Sequence, residues 1–258
     1  MEELHEAGIS WKYYVGTNLP GHVSHEAMNQ PNDLTDPLEG RQMGVNGDVS
    51  LLAGCEIPAY GYMNPLPRME GIRSNPDLLC RDVPGYEFYD DVQSGNLPQV
   101  AWIMPAFLVG EHPWAGPDQG QKYVVTLVNT IMNSQHWEDT AIFITWDEWG
   151  GFCDHVPPLR LDKYGLGFRV PAFLISPYAK ENYVSHRLYE FSSFLTIENQ
   201  FGLSRLTNRD SGANSFSDEF DFTRPPRPPL VLDPWAILLD GTVEQQRRLK
   251  PQALQPRS

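Results

Sequence analysis

Positive charge is scarce in this 258-residue chain: 19 lysines and arginines stand against 33 aspartates and glutamates, for a net charge of −14. Nucleic-acid binders need a basic face to neutralise phosphates, so that function class is excluded. Long apolar runs are missing as well. None reaches the roughly 18 residues that a membrane helix needs, so no integral membrane segment is expected. The first residues lack the positive start and apolar stretch of a signal peptide. Only three cysteines occur, Cys55, Cys80 and Cys153. They cannot all pair, which excludes a disulfide scaffold and says little about compartment.

What remains is a globular composition. Hydrophobic residues make up 41% and aromatics 12%, enough for a core, and charged residues at 20% are too few for a disordered chain. With 21 glycines and 23 prolines, much of the chain must be loop. An acidic enzyme that handles anions needs a local positive centre, which makes a bound metal worth seeking.

Residues 1–7 read as a short helix stopped by Gly8, consistent either with an ordinary start or with a chain that begins partway through a larger fold. Residues 9–15, aromatic and β-branched, predict a strand. Residues 16–84 are rich in Pro, Gly and Asn, and a loop so long reads as a cap-like insertion. A short helix is expected at 86–92 and a strand at 99–104, closed by Pro105. Val124, Leu127, Val128 and Ile131 recur at helical spacing, so 122–132 is an amphipathic helix. Residues 140–146 are nearly all apolar and read as a strand buried on both faces, as in parallel sheets. Residues 169–176 repeat that style, and 188–201 read as the following helix. The order predicts an α/β fold with a mostly parallel sheet sandwiched by helices. Residues 1–223 would form the domain, and 224–258 a proline-rich segment with a solvated tail.

The most informative stretch is Trp146-Asp147-Glu148-Trp149-Gly150-Gly151-Phe152-Cys153-Asp154-His155. Four ionisable residues follow a strand within a few positions, where α/β sheets place their sites. Asp147 and Glu148 reach one ion only if the chain already turns there, which Gly150 and Gly151 allow. The plain alternative is a carboxylate cap with no ligand. His112, held extended by Pro113, follows the 99–104 strand. If the two strands run parallel as neighbours, His112 and the Asp147–His155 turn face one pocket. His22 and His25 are a weaker metal pair. Arg169 can meet a phosphate or a carboxylate, and His186 reads as a ligand or a helix cap. Serine-hydrolase elbows, phosphate loops and dinucleotide fingerprints are all missing.

Taken in order, Trp102-Ile103-Met104-Pro105, Glu111-His112-Pro113, the Asp147–Pro158 stretch, Gly167-Phe168-Arg169-Val170-Pro171, Ile175-Ser176-Pro177-Tyr178-Ala179, Val184-Ser185-His186 and Leu195-Thr196-Ile197-Glu198 resemble the phosphoesterase family. Upstream, Ala7-Gly8-Ile9-Ser10-Trp11-Lys12 is similar to the segment leading into that family's middle region, so the resemblance spans about residues 2–203. It implies an alkaline-phosphatase-like fold and hydrolysis of phosphate esters of the phospholipase C or acid phosphatase type. The substrate would be a phospholipid head group or a small phosphomonoester, and the location extracellular or periplasmic. By the resemblance, Asp147 and Glu148 would hold one catalytic divalent metal, His112 would contact the substrate phosphate, and Asp154 and His155 would act behind the metal or on the substrate side. Oxygen ligands favour calcium, magnesium or manganese. The family's Glu-Asn ligand segment and its nucleophile have no counterpart here, so the expected chain is an incomplete member with low activity alone. The alternative is a non-catalytic remnant that binds metal or phosphate.

Overall fold

A computed structural model describes residues 1–17, 49–52, 55–58, 64–113 and 115–234. They divide into two compact units, Met1–His136 with the residues from Leu230 on, and Trp137–Pro229. His22, His25 and the 243–258 tail lie outside the described residues.

The first unit is organised by a three-stranded sheet in the order β4-β1-β5, all parallel. β1 (Trp11–Thr17) is its centre, flanked by β4 (Asp82–Pro84) and β5 (Val100–Pro105). The predicted strands at 9–15 and 99–104 are therefore present, displaced by one or two residues. In β1, alternation decides the packing. Trp11 and Tyr13 face one side, while Lys12 and Tyr14 face helix α4 (Glu87–Ser94). There Lys12 Nζ donates to Asp91 at 2.6 Å and to Glu87 at 3.2 Å, and the Tyr14 hydroxyl donates to Asp91 at 2.6 Å. The Tyr14 ring meets Phe88 edge-on at 5.6 Å. Such an aromatic pair adds about 0.5–1.5 kcal/mol beyond its buried area.

Helix α1 (Glu2–Glu6) precedes β1 and ends before Gly8, whose φ of +72° suits glycine. Part of the expected long loop is regular. A hairpin of β2 (Val49–Leu52) and β3 (Cys55–Pro58) is followed by helices α2 (Glu70–Arg73) and α3 (Pro76–Leu79). Asn75 caps α3 by accepting from the Asp77 N–H at 3.0 Å. A disulfide joins Cys55 to Cys80, their Cα atoms 5.3 Å apart, and Cys153 is free and exposed. Three cysteines thus leave room for one bridge, tying the hairpin to the end of α3. Helix α5 spans Pro117–Met132, five residues earlier than its apolar periodicity implied, because Pro117 suits a first helical turn.

The second unit corrects the sequence reading of residues 140–146. β6 (Ile142–Thr145) does not join the parallel sheet. It pairs antiparallel with β7 (Ala172–Ile175), Ile142 opposite Ile175 and Thr145 opposite Ala172. Its residues are half-buried rather than enclosed on both faces. An apolar run carries no strand direction, and aromatic packing supplies the burial instead. Phe143 lies 5.5 Å from Phe194 and 4.9 Å from Phe216, with Tyr189 stacked on Phe216 at 4.2 Å. The expected helix at 188–201 begins as a 3₁₀ turn at Phe191–Leu195 and becomes α6 only at Thr196–Phe201. Helix α7 (Asn208–Gly212) starts with a capping box: the Thr207 side chain accepts from the Asp210 N–H, and Asp210 accepts from the Thr207 N–H at 2.7 Å.

The proline-rich segment has no helix or strand, yet it is anchored. The Arg227 N–H donates to Pro177 O at 3.1 Å, its guanidinium donates to Ser176 O at 3.0 Å, and its carbonyl accepts from the buried Trp137 indole at 2.9 Å. The architecture is mixed α/β with a parallel three-stranded sheet. Among the described residues, no helix is long and apolar enough to cross a membrane.

Candidate functional site

His112 stands just beyond the carboxyl end of β5. After Pro105 the chain makes a 3₁₀ turn at Phe107–Val109, then passes through Gly110 and Glu111. The imidazole packs on Phe107, ring centres 5.3 Å apart, and its Nδ1 lies 3.2 Å from the Pro113 carbonyl oxygen. The His112 carbonyl accepts from the Ala115 N–H at 2.8 Å, which closes the turn. His112 is exposed.

Asp147 and Glu148 follow β6 at the predicted turn. Gly150 and Gly151 take φ of +65° and +78°, values that a side chain would strain. Glu148 Oε2 accepts from the Gly150 N–H at 3.0 Å, so this carboxylate caps its own turn. Asp147, exposed, has no hydrogen bond or ion pair among the described residues. The donors are hard oxygens of the kind that calcium, magnesium and manganese prefer. Two adjacent carboxylates supply only part of such a shell. Among the described residues, no group of three or more His, Cys, Asp or Glu is placed to hold an ion.

Asp154 is committed elsewhere. Arg169 grips it with a fork, Nε to Oδ2 at 2.6 Å and Nη2 to Oδ1 at 2.9 Å, and the Val156 N–H donates to Oδ1 at 3.1 Å. These donors, the Arg169 guanidinium foremost, hold the Asp154 carboxyl well below the usual carboxylate range. In this structure Arg169 pairs with a carboxylate. His155 Nδ1 lies 3.4 Å from Asp154 Oδ1, and the ring is largely exposed. Asp154 and Arg169 line an open pocket of about 470 Å³ together with Trp149, Phe152, Cys153 and Leu188.

His186 does not head a helix. It is exposed on an irregular stretch; its neighbour Ser185 donates to the buried Glu219 at 2.9 Å, and the Tyr189 hydroxyl donates to the same carboxylate. Two hydroxyls at the ends of the β6–β7 pair make local hydrogen bonds. Thr145 Oγ1 donates to Pro171 O at 3.1 Å, and Ser176, 2% exposed, accepts from the Tyr178 N–H at 3.3 Å. Sequence reasoning missed Glu111, a non-glycine residue with φ of +61° beside His112. No signal in the residues pointed to it, because Gly120, which its side chain overlies, lies outside the helix that the apolar spacing predicted.

The profile of the phosphoesterase family matches residues 1–204. The chain is 30% identical to phospholipase C B of Mycobacterium tuberculosis, over 88% of this chain and 44% of that protein. It is 30% identical to a non-hemolytic phospholipase C of Burkholderia pseudomallei, over 81% of this chain and 32% of that one. With the non-specific phospholipase C1 of Arabidopsis thaliana it shares 31% identity, over 73% of this chain and 42% of the relative. The chain spans less than half the length of these curated relatives.

Proposed function

Because the chain belongs to the phosphoesterase family, we propose that it serves the hydrolysis of a phosphate ester, of the kind that the names of its phospholipase C relatives describe. The family match across residues 1–204 carries this reading. The substrate class it favours is a phospholipid, whose phosphodiester is cleaved on the glycerol side. Water supplies oxygen to phosphorus, the P–O bond to glycerol breaks, and the leaving oxygen takes a proton.

In this reading Asp147 and Glu148 hold a divalent cation of the calcium, magnesium or manganese class. Such an ion, where bound, would supply positive charge against the phosphate and lower the pKa of an attacking oxygen. His112 meets a phosphate oxygen or protonates the leaving group. Such acid assistance is typically worth 10²–10⁴-fold. Asp154 remains ionised on Arg169, so it donates no proton; its part is to fix the Gly150–His155 segment, which carries His155 on its outer end.

The Cys55–Cys80 bridge supports an oxidising, extracytoplasmic location, since disulfides persist there and are rare in reducing compartments. The test is release of alcohol from a chromogenic phosphodiester, with and without manganese, in wild type, Asp147→Ala and His112→Asn. Low turnover that depends on the metal and is lost in both variants is the expected result. Isothermal titration with manganese gives a second readout, and equal affinity in wild type and Asp147→Ala would overturn the metal assignment.

A further inference from the structure

The backbone around His112 is restrained on both sides. Pro113 holds His112 away from the helical region. On the other side, Glu111 takes φ of +61°, a left-handed conformation that side chains rarely adopt. Gly110, one position earlier, tolerates that conformation freely, yet it sits at φ −89° and ψ 2°. The strain therefore falls on the residue with a side chain, and that side chain has a definite place. It lies over Gly120, in the second turn of α5. A methyl group built at Gly120 would overlap Glu111 at Cγ, Cδ and one carboxylate oxygen. Because the overlap reaches Cγ, close to the backbone, Glu111 cannot relieve it by moving only its tip.

We propose that Glu111 is a positioning residue for His112: its left-handed backbone, clamped by its side chain on Gly120, fixes the direction in which the imidazole leaves the loop. Outlying backbone of this kind persists only where surrounding structure imposes it, and it gathers at functional sites. The Phe107 ring and the His112–Ala115 hydrogen bond complete the restraint. A glycine in the middle of a helix weakens the helix; here it gives the room that the clamp needs. The consequence for hydrolysis rests on the role proposed above for His112.

Three variants separate the clamp from the charge. Glu111→Gly relieves the strain and removes the contact, Gly120→Ala displaces the contact, and Glu111→Gln keeps the shape without the charge. The readout is the His112 ring-proton resonance, identified by its loss in His112→Asn and followed during titration with inorganic phosphate and magnesium. Circular dichroism establishes that each variant is folded. Glu111→Gln should resemble wild type within about twofold, while Glu111→Gly and Gly120→Ala should move the resonance and weaken its phosphate response at least fivefold. If Gly120→Ala does not fold, Glu111→Gly decides. A wild-type resonance and response in Glu111→Gly overturns the inference. A moved resonance alongside phosphate binding that survives His112→Asn upholds the positioning and overturns the phosphate role of His112.

Discussion

Asp154 and Arg169 meet through two parallel hydrogen bonds of 2.6 and 2.9 Å, the fork geometry that only arginine offers to a carboxylate. The pair closes the segment that begins at the Gly150-Gly151 turn, joining it to the strand-entry residues before β7. Its acid sensitivity has a definite sign. The folded Asp154 carboxyl is depressed, so its stabilisation is present above the unfolded carboxyl pKa of about 3.9 and is lost as pH falls through the folded value. Arg169→Met should therefore move the midpoint of acid unfolding to higher pH, followed by tryptophan fluorescence. An unmoved midpoint would show that the fork adds nothing to folding.

Asp82 behaves in the opposite sense. It is 0% exposed in β4, with one oxygen accepting from Asn64 Nδ2 at 2.7 Å and the other without a hydrogen-bond partner among the described residues. Tyr13 is its registered neighbour on β1. Burial pushes its carboxyl up to about 7. A raised folded value means that stability is greatest below the unfolded pKa and is lost as pH rises through the folded one. Asp82→Asn should stabilise the protein at pH 8, on the order of 2–4 kcal/mol, and leave it little changed at pH 4. Urea unfolding at the two pH values measures the difference. Equal effects at both would contradict a buried, titrating carboxyl.

The Cys55–Cys80 bridge closes a loop with a sequence separation of 25 residues. A chain-entropy estimate for a loop of that size is about 3–4 kcal/mol. Reduction, or the double change Cys55→Ser with Cys80→Ser, should lower the melting temperature by several degrees. The reductant should have no effect on the double variant.

Gly151→Ala tests the turn that carries Asp147 and Glu148. Nothing lies within 4 Å of the added methyl, so a loss of stability reports backbone strain and not a clash. The expected cost is about 1–2 kcal/mol. Weaker manganese binding than in wild type should accompany it if the turn presents the carboxylates. Unchanged affinity with reduced stability would separate the turn from the metal.

Much of the first unit could be read from the residues. The β-branched and aromatic run of β1, the apolar β5 ending in Pro105 and the spacing in α5 each state their own structure. β4 could not be read, because Asp82-Val83-Pro84 is short, polar at its first position and ends in proline. The pairing of β6 with β7 was hidden for another reason: an enclosed parallel strand and a strand under an aromatic cluster share the same apolar composition. At the site, the glycine pair announced the turn beyond β6, and Arg169 announced a partner without choosing it. Glu111 announced nothing, since left-handed backbone on a glutamate has no signature in its own side chain.

The anchoring of Arg227 bears on where this protein can be shortened. A chain trimmed at residue 223 would remove the acceptor of the Trp137 indole and two donors to the Ser176–Pro177 backbone. Leaving the buried indole N–H unsatisfied would alone cost about 1–3 kcal/mol. Residues 224–229, without a helix or strand among them, act as a clasp whose removal loosens the exit of β7 and the entrance to β6 together. A protease site inserted after Thr223 would sever that clasp, whereas one inserted after Pro229 would spare each of these bonds.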